Sequence, residues 1–253
     1  MKFDQELKAR LLEAQHIVVF TGAGVSKESG IPTFRDRATG LWEKYDAKAL
    51  STAGSFKQNP DLVWGWYEWM RATVMASDPN PAHTVIAKMA RHVPRLTVIT
   101  QNVDDLHERA GSEAVFHLHG SLFRPYCFAC KRAHILVPGI PAGVSDKTHI
   151  KPPKCAHCGG WIRPGVVWFG ENLPAGVWRE SADAVANCDV MFSIGTSADV
   201  IPAASLPVDA AARGAYVVQV NPMVTPLDDL AQLNLRGNAG VVLPALYEAV
   251  WRV

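Results

Sequence analysis

Four cysteines in this chain have the spacing of a metal site. One C-x-x-C pair is formed by Cys127 and Cys130 and a second by Cys155 and Cys158, with residues 131–154 between them. Two such pairs supply four thiolates, which can close a tetrahedral shell around Zn²⁺. Because a closed shell leaves no position for water, we expect a structural zinc and not a catalytic one. The competing interpretation is a redox dithiol, which needs only one of the two pairs.

A glycine-rich loop follows the apolar run HIVVF. The loop reads TGAGVSKESGIPTFR over residues 21–35, and Gly22 and Gly24 supply the G-x-G of a dinucleotide-binding loop. The full G-x-G-x-x-G pattern requires a third glycine at position 27, where this chain has Lys27, and the next glycine is Gly30. The backbone here approaches either a nucleotide phosphate or only the next turn of its own chain.

Polar residues also follow two later candidate strands, in the segments TQNVDDLH and GTSAD. They are amides, a carboxylate and small donors: Gln101, Asn102, Asp104, Gly195, Thr196 and Ser197. The carboxyl ends of parallel strands meet at one edge of a sheet, so these groups can converge on a ribose-bearing ligand. The serine and threonine could instead be simple helix caps.

Two histidines, His117 and His119, lie in the segment FHLHGS. On an extended segment they point the same way, so either both face a cleft or both are packed against the neighbouring lobe. His119 precedes Gly120 and leads into the cysteine-containing region. It therefore has the position expected of a general base between two lobes.

The elements that must position these groups alternate between strand and helix. Short, nearly continuous apolar runs predict buried strands at residues 17–20, 96–100, 190–194, 216–220 and 241–243. Helical patterns lie at residues 82–92, 173–186 and 4–15, the last with Asp4 as N-cap. This alternation predicts an α/β fold with a doubly wound, parallel, Rossmann-like sheet.

Two stretches interrupt the alternation. Residues 36–80 hold four of the eight tryptophans, and residues 121–165 hold the four paired cysteines. We expect them to form a smaller lobe, made of a helical insertion and a zinc-ribbon module. The chain would then be a single domain whose Rossmann-like lobe covers about residues 1–35, 81–120 and 166–253.

The composition limits the classes of partner. Apolar residues are 48% and charged residues 19%, which is typical of a globular protein. Lys plus Arg number 25 against 24 for Asp plus Glu, so binding of nucleic acid through bulk charge is not expected. No apolar run approaches the roughly 18 residues of a membrane span. We expect a cytoplasmic protein that binds neither nucleic acid nor membranes.

The motifs occur together in one order: GAGVSKESGIPTFR, TQNVDDLH, HLHGS, the two C-x-x-C pairs, VVWFGE at 166–171, and GTSADVIPAA. This combination resembles the sirtuin, or Sir2, family of NAD-dependent protein lysine deacylases. The resemblance implies NAD as co-substrate, one structural zinc, and acyl-lysine peptides or proteins as partners. The implied products are nicotinamide, O-acyl-ADP-ribose and free lysine.

The resemblance also implies residue roles. His119 would be the catalytic base, taking a proton from a ribose hydroxyl after the amide oxygen of the acyl-lysine has displaced nicotinamide, and Asn102 and Asp104 would assist. The implied NAD contacts are Gly22, Ala23, Gly24, Ser26, Ile31, Phe34, Arg35, Gln101, Asn102, Asp104, Gly195, Thr196, Ser197 and Asn221.

In the same family the peptide adds as a strand between two extended segments, here 167–171 and 198–200. The implied substrate contacts are Tyr67, Met70, Val167, Trp168, Phe169, Gly170, Glu171, Ala198 and Val200. Hydrogen bonds to the peptide main chain bind many peptide sequences, so the resemblance implies a broad substrate scope.

One subgroup of the family removes succinyl and malonyl groups with a Tyr-x-x-Arg pair and a small alanine. In this chain Tyr67 matches, but Met70 occupies the arginine position, Arg71 comes one residue later, and Ser51 replaces the alanine. One helical residue is a rotation of about 100°, so we expect Arg71 to point away from a carboxylate that Tyr67 faces. We therefore favour neutral acyl groups, acetyl first, with room for longer aliphatic chains.

Three alternatives remain open from the sequence. The chain could be a desuccinylase and demalonylase or a long-chain deacylase. It could be a mono-ADP-ribosyltransferase that uses the same NAD site. It could also be a non-enzymatic NAD-binding zinc module, with which the glycine and cysteine arguments are equally compatible.

Overall fold

The computed structural model describes residues 1–33, 50–136, 139, 144–145 and 149–252. Within these residues the strands are β1 (His16–Thr21), β2 (Arg95–Thr100), β3 (Val115–His117), β4 (Gly120–Cys127), β5 (Ile162–Val166), β6 (Val190–Ile194), β7 (Tyr216–Val220) and β8 (Leu233–Leu235). The helices are α1 (Gln5–Glu13), α2 (Ala53–Gln58), α3 (Pro60–Met75), α4 (Pro81–Met89), α5 (Leu106–Arg109), α6 (Ala175–Ala186), α7 (Leu206–Ala212) and α8 (Ala239–Trp251).

Six of the strands form one parallel sheet in the order β3-β2-β1-β6-β7-β8. Alternate residues of β1 face opposite sides: Ile17 and Val19 join a cluster with α1, α4 and α8, whereas Val18 and Phe20 join a cluster with α6 and α7. Helices therefore cover both faces of the sheet. The predicted doubly wound, Rossmann-like fold is confirmed.

A third hydrophobic cluster lies outside the sheet. The antiparallel pair of β4 and β5 carries the cysteines at its end, and α2 and α3 pack against it. Phe56 of α2 and Trp64 of α3 are buried together with Leu122, Cys127 and Trp168. The helical insertion and the cysteine module thus share one core, as a smaller lobe requires.

The predicted strand at residues 241–243 is wrong, because these residues lie in the first half of α8. Val241 is 59% exposed, while Val242 and Leu243 are buried together with Leu246 and Val250. That burial follows the period of a helix, which a run of three residues is too short to reveal. The last strand of the sheet is β8, which the sequence reading did not identify.

The remaining predicted elements differ only at their ends. The strands predicted at 17–20 and 96–100 begin one residue earlier, and β1 also extends to Thr21. Asp4 caps α1, since its carboxylate accepts a hydrogen bond from the backbone N–H of Glu6 at 3.0 Å. Among the described helices, none combines the length and the apolar character needed to cross a membrane.

Candidate active site

The loops after β1 and β6 lie against each other at the carboxyl edge of the sheet. The N–H groups of Gly22 and Gly24 donate to the carbonyls of Ile194 and Gly195 at 3.0 and 2.8 Å. A Cβ on Gly22 would lie 2.8 Å from Cα of Thr196, and one on Gly24 would lie 2.7 Å from the Gly195 oxygen. Both positions therefore require glycine because the two loops pack closely against each other, and this holds whether or not the loops bind a ligand.

Three strand ends are joined through Thr196. Its hydroxyl accepts a hydrogen bond from Nε2 of Gln101, after β2, at 2.7 Å. Its carbonyl accepts one from Nδ2 of Asn221, after β7, at 2.7 Å. The polar residues that the sequence placed at separate strand ends therefore form one cradle, as expected for the switch point of a doubly wound sheet.

A buried polar triad lies beside this cradle. The Ser26 hydroxyl donates to Oδ2 of Asp104 at 3.0 Å and accepts from Nδ2 of Asn102 at 3.0 Å. Burial raises the pKa of Asp104, and the hydrogen bonds from the Leu106 N–H and from Ser26 oppose that rise. Ser26 joins the glycine-rich loop to the two residues that follow β2.

Two buried histidines pack against each other beside the triad, and the sequence reading did not single them out. His83 of α4 accepts from the Asn80 N–H at Nδ1, so its proton is on Nε2, 3.4 Å from the Ser26 hydroxyl. Burial lowers the pKa of His83 to about 4, which keeps the ring neutral. His107 contacts the Thr21 hydroxyl. An isolated histidine within a helix has no spacing pattern that would have indicated this role.

His119 has one ring nitrogen fixed and the other available. Nδ1 lies 3.0 Å from the Gln101 carbonyl, which can only accept, so Nδ1 carries the proton. Within the described part of the chain Nε2 has no hydrogen-bond partner. Burial lowers the pKa of His119, and the bond to the Gln101 carbonyl partly opposes this. The ring is thus neutral near pH 7 and can accept a proton at Nε2.

His117 has a different environment, so the expectation that the two histidines share one is wrong. Its Nδ1 donates to the Asn102 carbonyl at 3.1 Å and its Nε2 to Oε1 of Glu108 at 2.7 Å. Burial lowers its pKa, but the bond to Glu108 and the charge of Glu108 outweigh burial, and the pKa is raised. β3 ends at His117 and the chain then turns, which breaks the alternation on which the expectation rested.

Tyr67 lies in the third hydrophobic cluster with its hydroxyl engaged. Nε1 of Trp168 donates to that hydroxyl at 3.0 Å, and the Ser51 hydroxyl lies 3.2 Å from it. Burial raises the pKa of Tyr67 to about 12, so the phenol is neutral. Met70 is partly buried against the same cluster.

Arg71 is paired with Glu68, and helical rotation does not turn it away from Tyr67. Arg71 lies one turn after Tyr67 and therefore on the same side of α3, which makes the predicted reason wrong. Its Nη2 and Nε donate to the two oxygens of Glu68 at 2.5 and 3.3 Å, and Nη2 also contacts the Gly139 carbonyl. Both charged side chains are buried.

Neither of the segments 167–171 and 198–200 is extended throughout, contrary to expectation. Gly170 has φ of 83° and Ala198 has φ of 57°, so each segment contains a residue in the left-handed region. Phe169 forms an isolated parallel bridge with Thr52. Phe169 is 48% and Val200 43% exposed.

The four paired cysteines converge on one point. Their sulfurs all lie within 4.8 Å of one another, with Cys127 to Cys158 at 3.5 Å and Cys130 to Cys155 at 3.7 Å. A tetrahedron with Zn–S bonds of about 2.3 Å has edges of about 3.8 Å. The residues present fit a four-thiolate zinc site, and the use of both pairs removes the redox dithiol interpretation.

The other predicted NAD contacts lie on the same loops. Ala23 begins the 3₁₀ turn after Gly22, Ile31 donates its N–H to the Ser26 carbonyl, and Ser197 follows Thr196. Phe34 and Arg35 lie outside the described residues.

Comparison with known proteins gives consistent matches. The profile of the Sir2 family matches residues 22–202. A Methylococcus capsulatus protein named NAD-dependent protein deacylase is 58% identical over 252 residues, covering 100% of this chain and 99% of its own length.

Solved structures agree with the sequence matches. A crystal structure of a Sir2 homolog–NAD complex has TM-score 0.90 and 43% identity, covering 99% of this chain and 95% of its own. A structure of Sir2 with p53 peptide and NAD⁺ has TM-score 0.84 and 32% identity, and 98% of each chain is covered. On the profile match and on these similarities, the chain belongs to the Sir2 family.

Proposed function

We propose that this chain is an NAD-dependent protein lysine deacylase that prefers the acetyl group. The observation that carries the proposal is His119, a neutral imidazole with its Nε2 free of protein partners in the described structure, beside a cradle built from three strand ends. Similar proteins include one named for NAD-dependent deacylation and one solved as a complex with NAD.

The cradle suits NAD on chemical grounds. Close-packed glycine backbones, buried amides and hydroxyls, and a buried carboxylate are the groups that bind phosphates, ribose hydroxyls and a carboxamide. The proposed contacts are Gly22, Ala23, Gly24, Ser26, Ile31, Phe34, Arg35, Gln101, Asn102, Asp104, Gly195, Thr196, Ser197 and Asn221. NAD supplies a ribose whose anomeric carbon loses nicotinamide and whose hydroxyls then receive the acyl group.

The catalytic work of the chain is proton transfer and orientation. His119 accepts a ribose hydroxyl proton at Nε2, while the Gln101 carbonyl fixes its tautomer. Asn102 and Asp104, held by Ser26, orient the nicotinamide end of the cofactor. General-base catalysis of this kind contributes roughly 10²–10⁴-fold.

The acyl preference follows from α3. The acyl group would contact Tyr67, Met70 and the segment around Trp168, where the only arginine of the candidate carboxylate pair, Arg71, is neutralised by Glu68. A negatively charged acyl chain would find no free cation from that pair. Other proposed substrate contacts are Val167, Phe169, Gly170, Glu171, Ala198 and Val200. The p53 peptide bound by a relative is consistent with protein substrates.

The chain would act as one catalytic domain of about 1–253. Its Rossmann-like lobe comprises about 1–35, 81–120 and 166–253, and its small lobe about 36–80 and 121–165. Separate hydrophobic clusters support this division. A cytoplasmic location is supported by the four cysteines, which are arranged for one metal ion and not as disulfides, because reducing compartments preserve such sites.

The test is nicotinamide release from NAD with matched acetyl-, succinyl- and long-chain acyl-lysine peptides, with His119→Ala as control. The proposal expects fastest turnover of the acetyl peptide and loss of turnover in the variant. If the succinyl or the long-chain peptide were turned over faster than the acetyl peptide, the proposed preference for acetyl would be wrong and that acyl group would take its place. ADP-ribose transferred to a protein without acyl-lysine, and retained by His119→Ala, would indicate a transferase. NAD binding without turnover would indicate a binding module.

A further inference from the structure

An ion pair between a buried arginine and a partly exposed glutamate holds the segment that follows β5. Arg163 is 0% exposed, and its Nη1 and Nη2 donate to the two carboxylate oxygens of Glu171 at 2.5 and 2.9 Å. Its other donors bind the carbonyls of Val166 at 2.8 Å and Pro164 at 3.2 Å. The guanidinium also lies 3.5 Å from the ring centroid of Trp168.

An ion pair of this kind is a costly way to stabilise a fold. Removing a guanidinium from water carries a large desolvation penalty, and apolar residues of similar volume often stabilise a core as well or better. Burial raises the pKa of Glu171, but the hydrogen bonds from Arg163 and Trp168 outweigh burial and the pKa is lowered, so the pair is ionised. A bidentate pair of this kind fixes the geometry of the groups around it more than it adds to the stability of the fold.

The pair fixes Trp168 at two points. Oε2 of Glu171 accepts the backbone N–H of Trp168 at 2.9 Å. The indole ring lies against the guanidinium of Arg163, and its Nε1 donates to the Tyr67 hydroxyl at 3.0 Å. Both the backbone and the ring of Trp168 are therefore set by the same two charged residues.

The neighbours of Trp168 connect the two ends of the candidate site. The Val167 N–H donates to the carbonyl of His119 at 2.8 Å, and the Phe169 N–H donates to the carbonyl of Ser51 at 2.9 Å. Ser51 in turn contacts Tyr67. The three-residue segment thus bridges from the proposed base to the proposed acyl-binding side chains.

We propose that Arg163 and Glu171 are positioning residues that set the placement of the acyl group relative to His119, acting through Trp168. This inference rests on the proposed deacylase function. Arg163 is fully buried, and both oxygens of Glu171 are already engaged by Arg163 and Trp168. The carboxylate of Glu171 therefore acts through the segment that it holds, which leaves the backbone of Glu171 for the proposed substrate contact.

The test is the variant Glu171→Gln, which keeps the size of the side chain and removes its charge. Its kcat/KM is measured with acetyl-lysine and octanoyl-lysine versions of one peptide, and its affinity for NAD is measured directly. We expect the acetyl peptide to lose about 10²-fold in kcat/KM, since displacements near 1 Å have effects of that size. We expect the acetyl-to-octanoyl ratio to change several-fold and NAD affinity to stay within twofold.

The ratio separates positioning from structure, because a partly unfolded sample lowers both peptides by the same factor. A fall that is equal for the two peptides, or no fall at all, would overturn the inference. Glu6→Gln is the matched control: it breaks the exposed pair of Arg10 and Glu6, far along the chain, and is expected to change neither quantity.

A second variant covers the case in which Glu171→Gln does not fold. Trp168→Phe removes the Nε1 bond to Tyr67 and part of the ring volume, and it keeps an aromatic ring against Arg163. It is expected to change the acetyl-to-octanoyl ratio in the same direction, and an unchanged ratio would contradict the inference. If the unmodified protein turns over neither peptide, the failure belongs to the proposed function.

Discussion

At the scale of single residues, hydrogen-bond partners distinguish groups that the sequence makes look alike. His117 and His119 are separated by one position, yet His117 has both ring nitrogens bound to acceptors and His119 has only one. The spacing in HLHGS was enough to suggest His119. It could not predict the partner Glu108, which comes from α5, nor the supporting His83 from α4.

The pH dependence of kcat/KM tests which histidine is the base. A base is active when neutral, so activity appears as the pH rises through its pKa. Because burial lowers the pKa of His119, the acidic limb should have its midpoint below the ordinary histidine value of about 6.5. A midpoint above that value would contradict the assignment and point to His117, whose pKa is raised.

At the scale of elements, the strand ends were predictable and the contacts between loops were not. Apolar runs indicated the four central strands β1, β2, β6 and β7, but not the edge strands β3 and β8. The parallel order of the central strands placed Gln101, Thr196 and Asn221 together. The short run at 241–243 misled because a helix and a strand are indistinguishable over three residues. The close contact of Gly24 with Gly195 depends on tertiary packing, which no local pattern encodes.

The contact between the β1 and β6 loops can be tested with Gly24→Ala. The added Cβ would lie 2.7 Å from the Gly195 oxygen, so the loops must separate. We expect NAD affinity, measured by calorimetry, to fall by at least tenfold. Gly176→Ala is the control, since a Cβ there meets no atom within 4 Å and α6 should gain stability. Unchanged NAD affinity in Gly24→Ala would contradict the cradle.

The pairing of Arg71 within α3 gives a prediction about acyl specificity. Replacing Glu68 by Gln weakens the buried pair and releases a cation on the Tyr67 side of the helix. We expect the ratio of succinyl to acetyl turnover to rise, and to fall again in the double variant with Arg71→Met. A ratio that does not respond to Glu68→Gln would show that Arg71 cannot reach the acyl group.

At the scale of the whole molecule, the alternation of strands and helices predicted the fold class. The stretches rich in tryptophan and cysteine interrupt that alternation, and they predicted the small lobe. The sharing of one core by the helical insertion and the zinc module could not be read from sequence, because the two stretches are separated by two strands of the sheet. The contacts that connect His119 to Tyr67 through Trp168 could not be predicted either, because these residues are far apart in the sequence.

Removal of zinc should therefore affect one lobe before the other. We expect one zinc per chain by elemental analysis. We also expect chelation to abolish the near-UV signal of tryptophans in the third cluster, such as Trp64 and Trp168, while most far-UV signal remains. Activity should be lost in parallel. A metal-free chain that keeps its near-UV signal and its melting temperature would contradict a structural role for the cysteines.

The most direct test of the central claim is mass spectrometry of the products formed from NAD and an acetyl-lysine peptide. The proposed function predicts deacetylated peptide, nicotinamide and O-acetyl-ADP-ribose in equal amounts. With His119→Ala it predicts no deacetylated peptide, no O-acetyl-ADP-ribose and at most one nicotinamide per chain, because the base acts after nicotinamide has left. Deacetylated peptide with free acetate and intact NAD, or nicotinamide released without deacetylation, would contradict it.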